Sequence, residues 1–338
     1  MILHEQLMIS LIIPCYNTEK YIETCLNSVF KQDISEETYE VICVNDCSTD
    51  KTVEIIEKYK QNRTNLVLLH QSTNQKQGAA RNVGLKHARG KYIWFIDSDD
   101  FIVENCLSKI LKELADNQLE ILQFNIDVTD RLNYQSVLDV NLKSDTEVIS
   151  GVNYLNILML THWGRTIEVW RKVFKKEFLL THYLTFPEYV FGTEDLMFFY
   201  QTIVKCQRYK HVTQICYNYR TDNQDSVTNG EKALGLKLAD KIIANVDVIK
   251  FFKEDKLIQD SKFVNTAIES YKWSLRIYIR KIFKLEKSEL DIFLRKIKKH
   301  KNLLSDQLGI LQTVLLTSPL LIKFINIIFV TIYKSVKR

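Results

Sequence analysis

The sequence predicts an α/β protein with a mostly parallel central sheet, flanking helices and a helical C-terminal extension. Three observations predict it. Over the first hundred residues, short apolar runs alternate with segments of helical spacing. Several of those runs end in clusters of Asn, Asp, Ser and Tyr, where a parallel sheet opens onto a ligand cleft. From Glu231 onward the pattern is helical almost throughout. The composition is that of a folded chain: 338 residues, 46% hydrophobic and 26% charged, enough for a sizeable core. With nine glycines and three prolines, long flexible linkers are not expected.

The elements follow in order. "MISLIIPCYN" reads as a strand, and "TEKYIETCLNSVFKQ" as a helix with Tyr21, Ile22, Cys25, Leu26, Val29 and Phe30 on one face. "EVICVND" is a strand, and "STDKTVEIIEKYKQN" opens with capping residues before an amphipathic helix. "NLVLLH" is a strand, "QGAARNVGLKHARG" a helix, and "KYIWFID" a strand. Further on, "LEILQFNIDV" and "HVTQICYNYR" read as strands, while "VWRKVFKKEFLL" and "TEDLMFFYQTIVKC" read as helices. Three strand ends therefore share one rim: Pro14-Cys15-Tyr16-Asn17, Asn45 to Asp50, and Asp97-Ser98-Asp99-Asp100.

The last of these tips places three carboxylates within four positions. Two readings compete. Aspartates favour turns, and one could cap the helix in "IVENCLSKILKELADN". Alternatively, a hard divalent cation relieves the repulsion among crowded carboxylates by taking oxygen ligands.

Charge is uneven. The net charge is +5, yet Glu231 to Arg338 carries 22 basic against 11 acidic residues, and the first 230 residues carry 24 against 30. The extension ends in the apolar "GILQTVLLTSPLLIKFINIIFVTIYKSVKR". Ser318-Pro319 fits a helix start, and Pro319 to Tyr333 would be roughly 22 Å long, short of a ~30 Å hydrocarbon core. An in-plane helix on an anionic membrane surface is expected there. Basic residues interleaved with Trp273, Ile277, Ile279 and Phe283 suit that surface or helix packing better than a nucleic-acid track, so no nucleic-acid partner is expected. The seven cysteines include no C-x-x-C pair; they read as reduced, mostly buried thiols of a cytoplasmic protein with no zinc site. No signal peptide is expected from "MILHEQLMIS". Neither a P-loop nor a G-x-G-x-x-G occurs.

The segments "SLIIPCYNTEKYIETCLNSVFKQ", "YEVICVNDCSTDKTVEII", "GAARNVGLKHARGKYIWFIDSDD" and "TEDLMFFY", in that order, resemble the family 2 inverting glycosyltransferases of GT-A (Rossmann-like) fold. The resemblance covers most of residues 8 to 228. It implies a nucleotide-sugar-binding half over residues 1–105 and an acceptor-binding half with the catalytic base over 106–230; residues 231–338 would be the helical region with a membrane-associating tail. Pro14, Tyr16 and Asn17 match the first nucleotide loop. Asp46 matches the aspartate at the uracil edge, Arg81 a basic residue at the nucleotide, and Asp97 the first, ribose-facing aspartate of the D-x-D motif. Asp99 matches the aspartate that ligates Mg²⁺ or Mn²⁺ on the diphosphate. In "TEDLMF", Asp195 matches the catalytic base. Glu194 is the close alternative, and Thr193 would cap the helix. "YNYRTDNQDSVT" resembles a late motif near the donor phosphates and implies Arg220 and Ser226. Many relatives have Asp-Asp-Gly where this chain has Asn45-Asp46-Cys47, which constrains that turn.

The implied activity is metal-dependent, inverting transfer of a sugar, from a UDP-sugar, to a hydroxyl of a glycan or lipid-linked acceptor in cell-surface polysaccharide synthesis, on the cytoplasmic face of the membrane. The cation would act as Lewis acid on the leaving diphosphate, and a carboxylate would take the acceptor proton. The alternative is a non-catalytic nucleotide-sugar-binding or scaffold protein of the same fold. Trp170 and the basic run Arg171 to Lys176 are expected to pack near or flank the acceptor.

Overall fold

The computed structural model describes residues 7–129, 141–161, 167–223, 234–258, 261–282 and 284–300. The chain divides into two compact units, one of residues 1–188 and 198–229, the other of residues 189–197 and 230–338.

The first unit opens with the expected alternation: β1 (Ile9–Cys15), α1 (Ile22–Phe30), β2 (Tyr39–Asn45), α2 (Thr52–Lys60), β3 (Leu66–His70), α3 (Lys76–His87) and β4 (Tyr92–Phe95). Every residue of β1, β2 and β4 is buried. A parallel strand covered on both faces must be apolar on both, which is why these runs show no period-2 alternation. β1 pairs in parallel with β2 and with β4, and β2 with β3. Helix α3 lies close on β1: a Cβ on Gly84 would sit 2.3 Å from the Ile12 side chain, so no larger residue fits without moving strand or helix.

Then follow β5 (Phe101–Ile102), α4 (Leu107–Asp116), β6 (Ile121–Val128), α5 (Gly151–Thr161), β7 (Lys172–Lys175), α6 (Lys176–Thr181), α7 (Glu194–Lys205) and β8 (Tyr209–Tyr219). Among the described residues, eight strands form one sheet in the order β3-β2-β1-β4-β7-β6-β8-β5. The reading of "VWRKVFKKEFLL" as one helix needs correction. Residues 169–171 form a 3₁₀ turn, and Lys172–Lys175 is a strand between β4 and β6, antiparallel to both. Val173 and Phe174 are both fully buried, so burial on two faces decides the backbone. Four residues are too few to display a strand period, and helical character returns only at α6. The two-residue β5 was also not anticipated; it is held by pairing with Tyr217 and Asn218 of β8.

The second unit contains α8 (Leu234–Glu254), α9 (Lys262–Ile282) and α10 (Lys287–Lys299), in line with the helical reading of this third. α8 and α10 approach closely at Gly235, whose N–H donates to the Glu289 carboxylate at 2.7 Å. A Cβ there would lie 2.1 Å from the Glu289 carbonyl oxygen. Among the described residues no helix is long and apolar enough to cross a membrane. The expected helix from Pro319 to Tyr333 lies outside the described residues.

Candidate active site

The sheet register brings the three polar strand ends of the first unit together. Cys15 pairs with Asn45, and the N–H of Ile96 donates to the Ile12 carbonyl. The residues just beyond β1, β2 and β4 therefore share the carboxyl rim.

The first two loops are tied across the rim. Asn17 has left-handed backbone, φ 51°, and its side-chain oxygen accepts the Thr49 N–H at 2.8 Å. Its own N–H donates to Ser48 Oγ at 3.1 Å. Asp50 accepts the N–H groups of Glu19 and Thr52, both at 3.0 Å, so it serves the start of α2. That leaves Asp46 for other work. Its carboxylate is 3% exposed and accepts Gln71 Nε2 at 2.8 Å and the backbone N–H groups of Gln75 and Lys76 at 2.7 and 2.8 Å. Burial raises its pKa, and these donors act in the opposite direction. Asp46 thus fixes the loop entering α3. Tyr16 is exposed at the same rim, where an aromatic face could meet a base, while Pro14 is buried in β1. Cys47, in the glycine position of the related motif, keeps left-handed backbone at φ 66°.

The Asp97–Asp100 tip is built differently. The helix that follows does not use its aspartates as caps: Gln32 Oε1 accepts the N–H groups of Cys106 and Leu107, and Asp33 accepts that of Ser108. The turn-and-cap reading therefore loses its main purpose. Asp97 accepts the buried Arg81 guanidinium at 2.7 Å, and that guanidinium lies over the Phe186 ring. Asp99 Oδ2 accepts Asn223 Nδ2 at 2.7 Å, and its carbonyl accepts Arg220 Nε at 2.8 Å. Asp100 points inward, where it accepts Tyr217 Oη at 2.7 Å and the Arg220 N–H at 2.6 Å. Tyr217 Oη in turn accepts the Asp97 N–H at 3.2 Å. Burial, then the Asp97 charge, push the Asp99 carboxyl above its ordinary pKa; burial, Asp99 and Asp97 push Asp100 well above it.

Crowded, desolvated carboxylates whose pKa values are raised form a site short of positive charge. Oxygen-only donors suit Mg²⁺ or Mn²⁺. Among the described residues no group of three or more His, Cys, Asp or Glu converges on one point. An ion held by Asp99, with Asp97 beside it, would complete its shell with ligand phosphates and water. The residues present fit such an ion.

Arg220, expected near phosphates, is placed against the Asp99 carbonyl, with its guanidinium over the Tyr21 and Phe101 rings. Ser226 lies outside the described residues. Trp170 stacks on Tyr217 and Tyr219, with ring centroids 4.7 and 5.5 Å apart, and its carbonyl accepts Trp94 Nε1. Tyr217, Asn223 and Gln71 were not foreseen. The alternation in "HVTQICYNYR" indicates which residues share a strand face, but a partner 117 positions away leaves no local trace.

Glu194 and Asp195 occupy the first turn of α7, within the second unit. Glu194 is 1% exposed, whereas Asp195 is partly exposed. Thr193 does not cap this helix through its side chain: its hydroxyl is buried without a hydrogen-bond partner.

Residues 10–178 match the family Glycosyl transferase family 2. The poly(ribitol-phosphate) beta-N-acetylglucosaminyltransferase TarS of Staphylococcus aureus is 32% identical over 216 residues, 64% of this chain and 36% of that protein. The glycosyltransferase EpsJ of Bacillus subtilis is 32% identical over 65% of this chain and 63% of its own length. The chain thus spans about a third of the first relative and under two thirds of the second. The crystal structure of TarS residues 1–349 superposes with TM-score 0.68 at 24% identity, covering 86% of this chain and 79% of that one. The same fragment in complex with UDP-GlcNAc gives 0.64 at 22%, covering 86% and 80%. A mannosyltransferase of Pyrobaculum calidifontis in complex with GDP-Man and Mn²⁺ gives 0.55 at 18%, covering 84% and 77%. These likenesses establish the shared GT-A fold.

Proposed function

The chain belongs to glycosyl transferase family 2, and from that premise we propose that it transfers a sugar, with inversion, from a UDP-sugar to a hydroxyl of a cell-surface glycan or its lipid-linked precursor. The observation that carries the proposal is the Asp97–Asp100 tip, whose carboxylates are crowded at the sheet's carboxyl rim with one of them braced from below. The UDP-GlcNAc complex of a protein of the same fold supports UDP as the nucleotide.

Each residue then has a task. Tyr16 and the cross-tied Asn17 loop receive the base, and Asp46 holds the loop that closes the other side of the nucleotide site. Arg81 holds Asp97 oriented toward the ribose. Asp99 holds the divalent ion; when bound, that ion offsets the charge developing on the leaving diphosphate. Arg220 and Asn223 keep Asp99 aimed at the phosphates. Asp195 takes the proton of the attacking hydroxyl. A base must meet its acceptor, and the more open carboxylate of the Glu194–Asp195 pair is Asp195.

The test is thermal stabilisation by UDP, GDP and CDP, each with and without Mn²⁺. A shift specific to UDP and dependent on Mn²⁺ is expected. Equal shifts with all three nucleotides, or none, would remove the donor assignment. UDP release from UDP-N-acetylglucosamine and UDP-glucose then separates enzyme from scaffold: Asp195→Asn should abolish turnover while leaving the UDP shift intact. We also propose that the basic C-terminal third docks on an anionic membrane. Removing residues 308–338 should then move the protein from membrane to soluble fractions, and an unchanged distribution would reject the docking.

A further inference from the structure

The second unit contains a short stretch that its helices grip unusually closely. Tyr189 to Thr193 leads into the first turn of α7, which carries Glu194 and Asp195. Lys296 of α10 donates to the Tyr189 carbonyl at 2.6 Å. The same ammonium pairs at 2.9 Å with Asp240 of α8, which is fully buried. The backbone N–H of Phe191 favours the charged form of that carboxylate, as Lys296 does, while burial first and Glu194 last act against it. Seven residues further along α8, on the same face, Asp247 accepts the Tyr189 hydroxyl. Gly192, at φ 70°, makes the bend between the gripped residues and the helix.

The helix start needs such a grip. Its own capping position is idle, because the Thr193 hydroxyl makes no hydrogen bond. The entry angle of α7 is left to whatever holds the residues before it. A buried ion pair is a poor source of net stability but a strong fixer of geometry, since each charge tolerates few arrangements of the other. Lys296 touches three chain segments at once: its own helix, α8 through Asp240, and the Tyr189 carbonyl.

We infer that Lys296, Asp240 and Asp247 form a positioning latch that fixes the turn carrying Asp195, so that the C-terminal helices take part in setting up the reaction. The inference rests on the reading of Asp195 as base. The three latch residues are positioning residues that act through the Tyr189–Thr193 stretch. They place a task in the third of the chain whose sequence shows little of the family pattern.

The test compares four variants of the full chain with the wild type: Lys296→Met/Asp240→Asn, which leaves no uncompensated charge, Lys296→Arg, Tyr189→Phe and Asp195→Asn. Amide exchange over residues 189–197 reads the latch without any need for turnover. UDP release from UDP-N-acetylglucosamine and UDP-glucose with Mn²⁺ reads its effect on chemistry. In the double variant, exchange over 189–197 should rise about tenfold or more, with residues 97–102 unchanged. Its kcat should fall by about tenfold while the donor KM stays within about twofold. Lys296→Arg, which keeps a donor to both partners, should recover most of the protection and most of the rate. If the double variant does not fold, Tyr189→Phe carries the test, because it removes only one hydroxyl from a partly exposed ring; its exchange should rise about threefold.

Wild-type exchange in both the double variant and Tyr189→Phe would overturn the latch. So would faster exchange with unchanged kcat in a protein that Asp195→Asn inactivates. Full turnover by Asp195→Asn would instead remove the base assignment, while the exchange data would still judge the grip on its own.

Discussion

Asp46 and Asp99 sit at the same rim, two strands apart, and are built for opposite purposes. Asp46 accepts three neutral donors, two of them backbone N–H groups, and the Lys76 charge also favours its carboxylate. Asp99 has one side-chain amide donor; burial and then the Asp97 charge raise its pKa, and Arg220 acts in the opposite direction. The first is an anion satisfied by the chain, and the second is an anion waiting for a cation. A carboxylate at a strand end is therefore not informative by itself. What distinguishes the two is the charge of what surrounds them, and that is set by residues far away in sequence.

The largest effect is expected at Asp99. Asp99→Ala should remove the Mn²⁺-dependent part of UDP stabilisation, about 2.7 kcal/mol when the ligand is at a hundred times its Kd. UDP release should fall by about 10³-fold, the several kcal/mol that a bound ion contributes to a charged transition state. Retained Mn²⁺ dependence would mean that the ion is held elsewhere. Asp46→Ala tests the other half. It strands two backbone N–H groups and the Gln71 amide, so stability should drop by about 3 kcal/mol. That loss should be the same with and without Mn²⁺ in calorimetric melts; a Mn²⁺-dependent loss would erase the distinction between the two sites.

Tyr217→Phe sharpens the contrast from beneath. Asp100 would keep the Arg220 N–H but lose its hydroxyl donor, and the Asp97 N–H would lose its acceptor. A destabilisation of about 1–3 kcal/mol is expected. Because Asp97 and Asp99 lie just before the braced Asp100, the Mn²⁺ concentration giving half-maximal UDP stabilisation should also rise, by about threefold or more. An unchanged Mn²⁺ requirement would make the brace purely structural.

These supports show what could and could not be seen in the sequence. The buried parallel strands β1, β2 and β4 were legible because burial on both faces writes itself as an apolar run, and the rim followed from topology. Asp97, Asp99 and Asp46 were legible as strand-end residues, and Asp195 as a first-turn carboxylate. Strand β7 was not, since four residues with two lysines, flanked by Arg171 and Lys176, look helical until β4 and β6 enclose them. Tyr217, Asn223 and the Lys296–Asp240 pair were not legible either. Each acts on a partner from 56 to 124 positions away, and no local period encodes such a contact.

Cys47 gives the smallest effect and the finest test of how the Asp46 side is held. The related motif has glycine here, and this chain retains the backbone that glycine would choose, φ 66°, with a side chain that disfavours it. Left-handed backbone costs a non-glycine residue about 1–2 kcal/mol, and the extra freedom of glycine in the unfolded chain returns about 0.5–1 kcal/mol of that. Cys47→Gly should therefore stabilise the protein by about 0.5 kcal/mol, read as a small rise in Tm. UDP affinity without Mn²⁺ should be preserved, because the loop already holds the glycine shape through Asn17, Ser48 and Thr49. A loss of affinity would show that the exposed Cys47 side chain itself contacts the nucleotide, and the turn would then be an adapted contact in place of a tolerated strain.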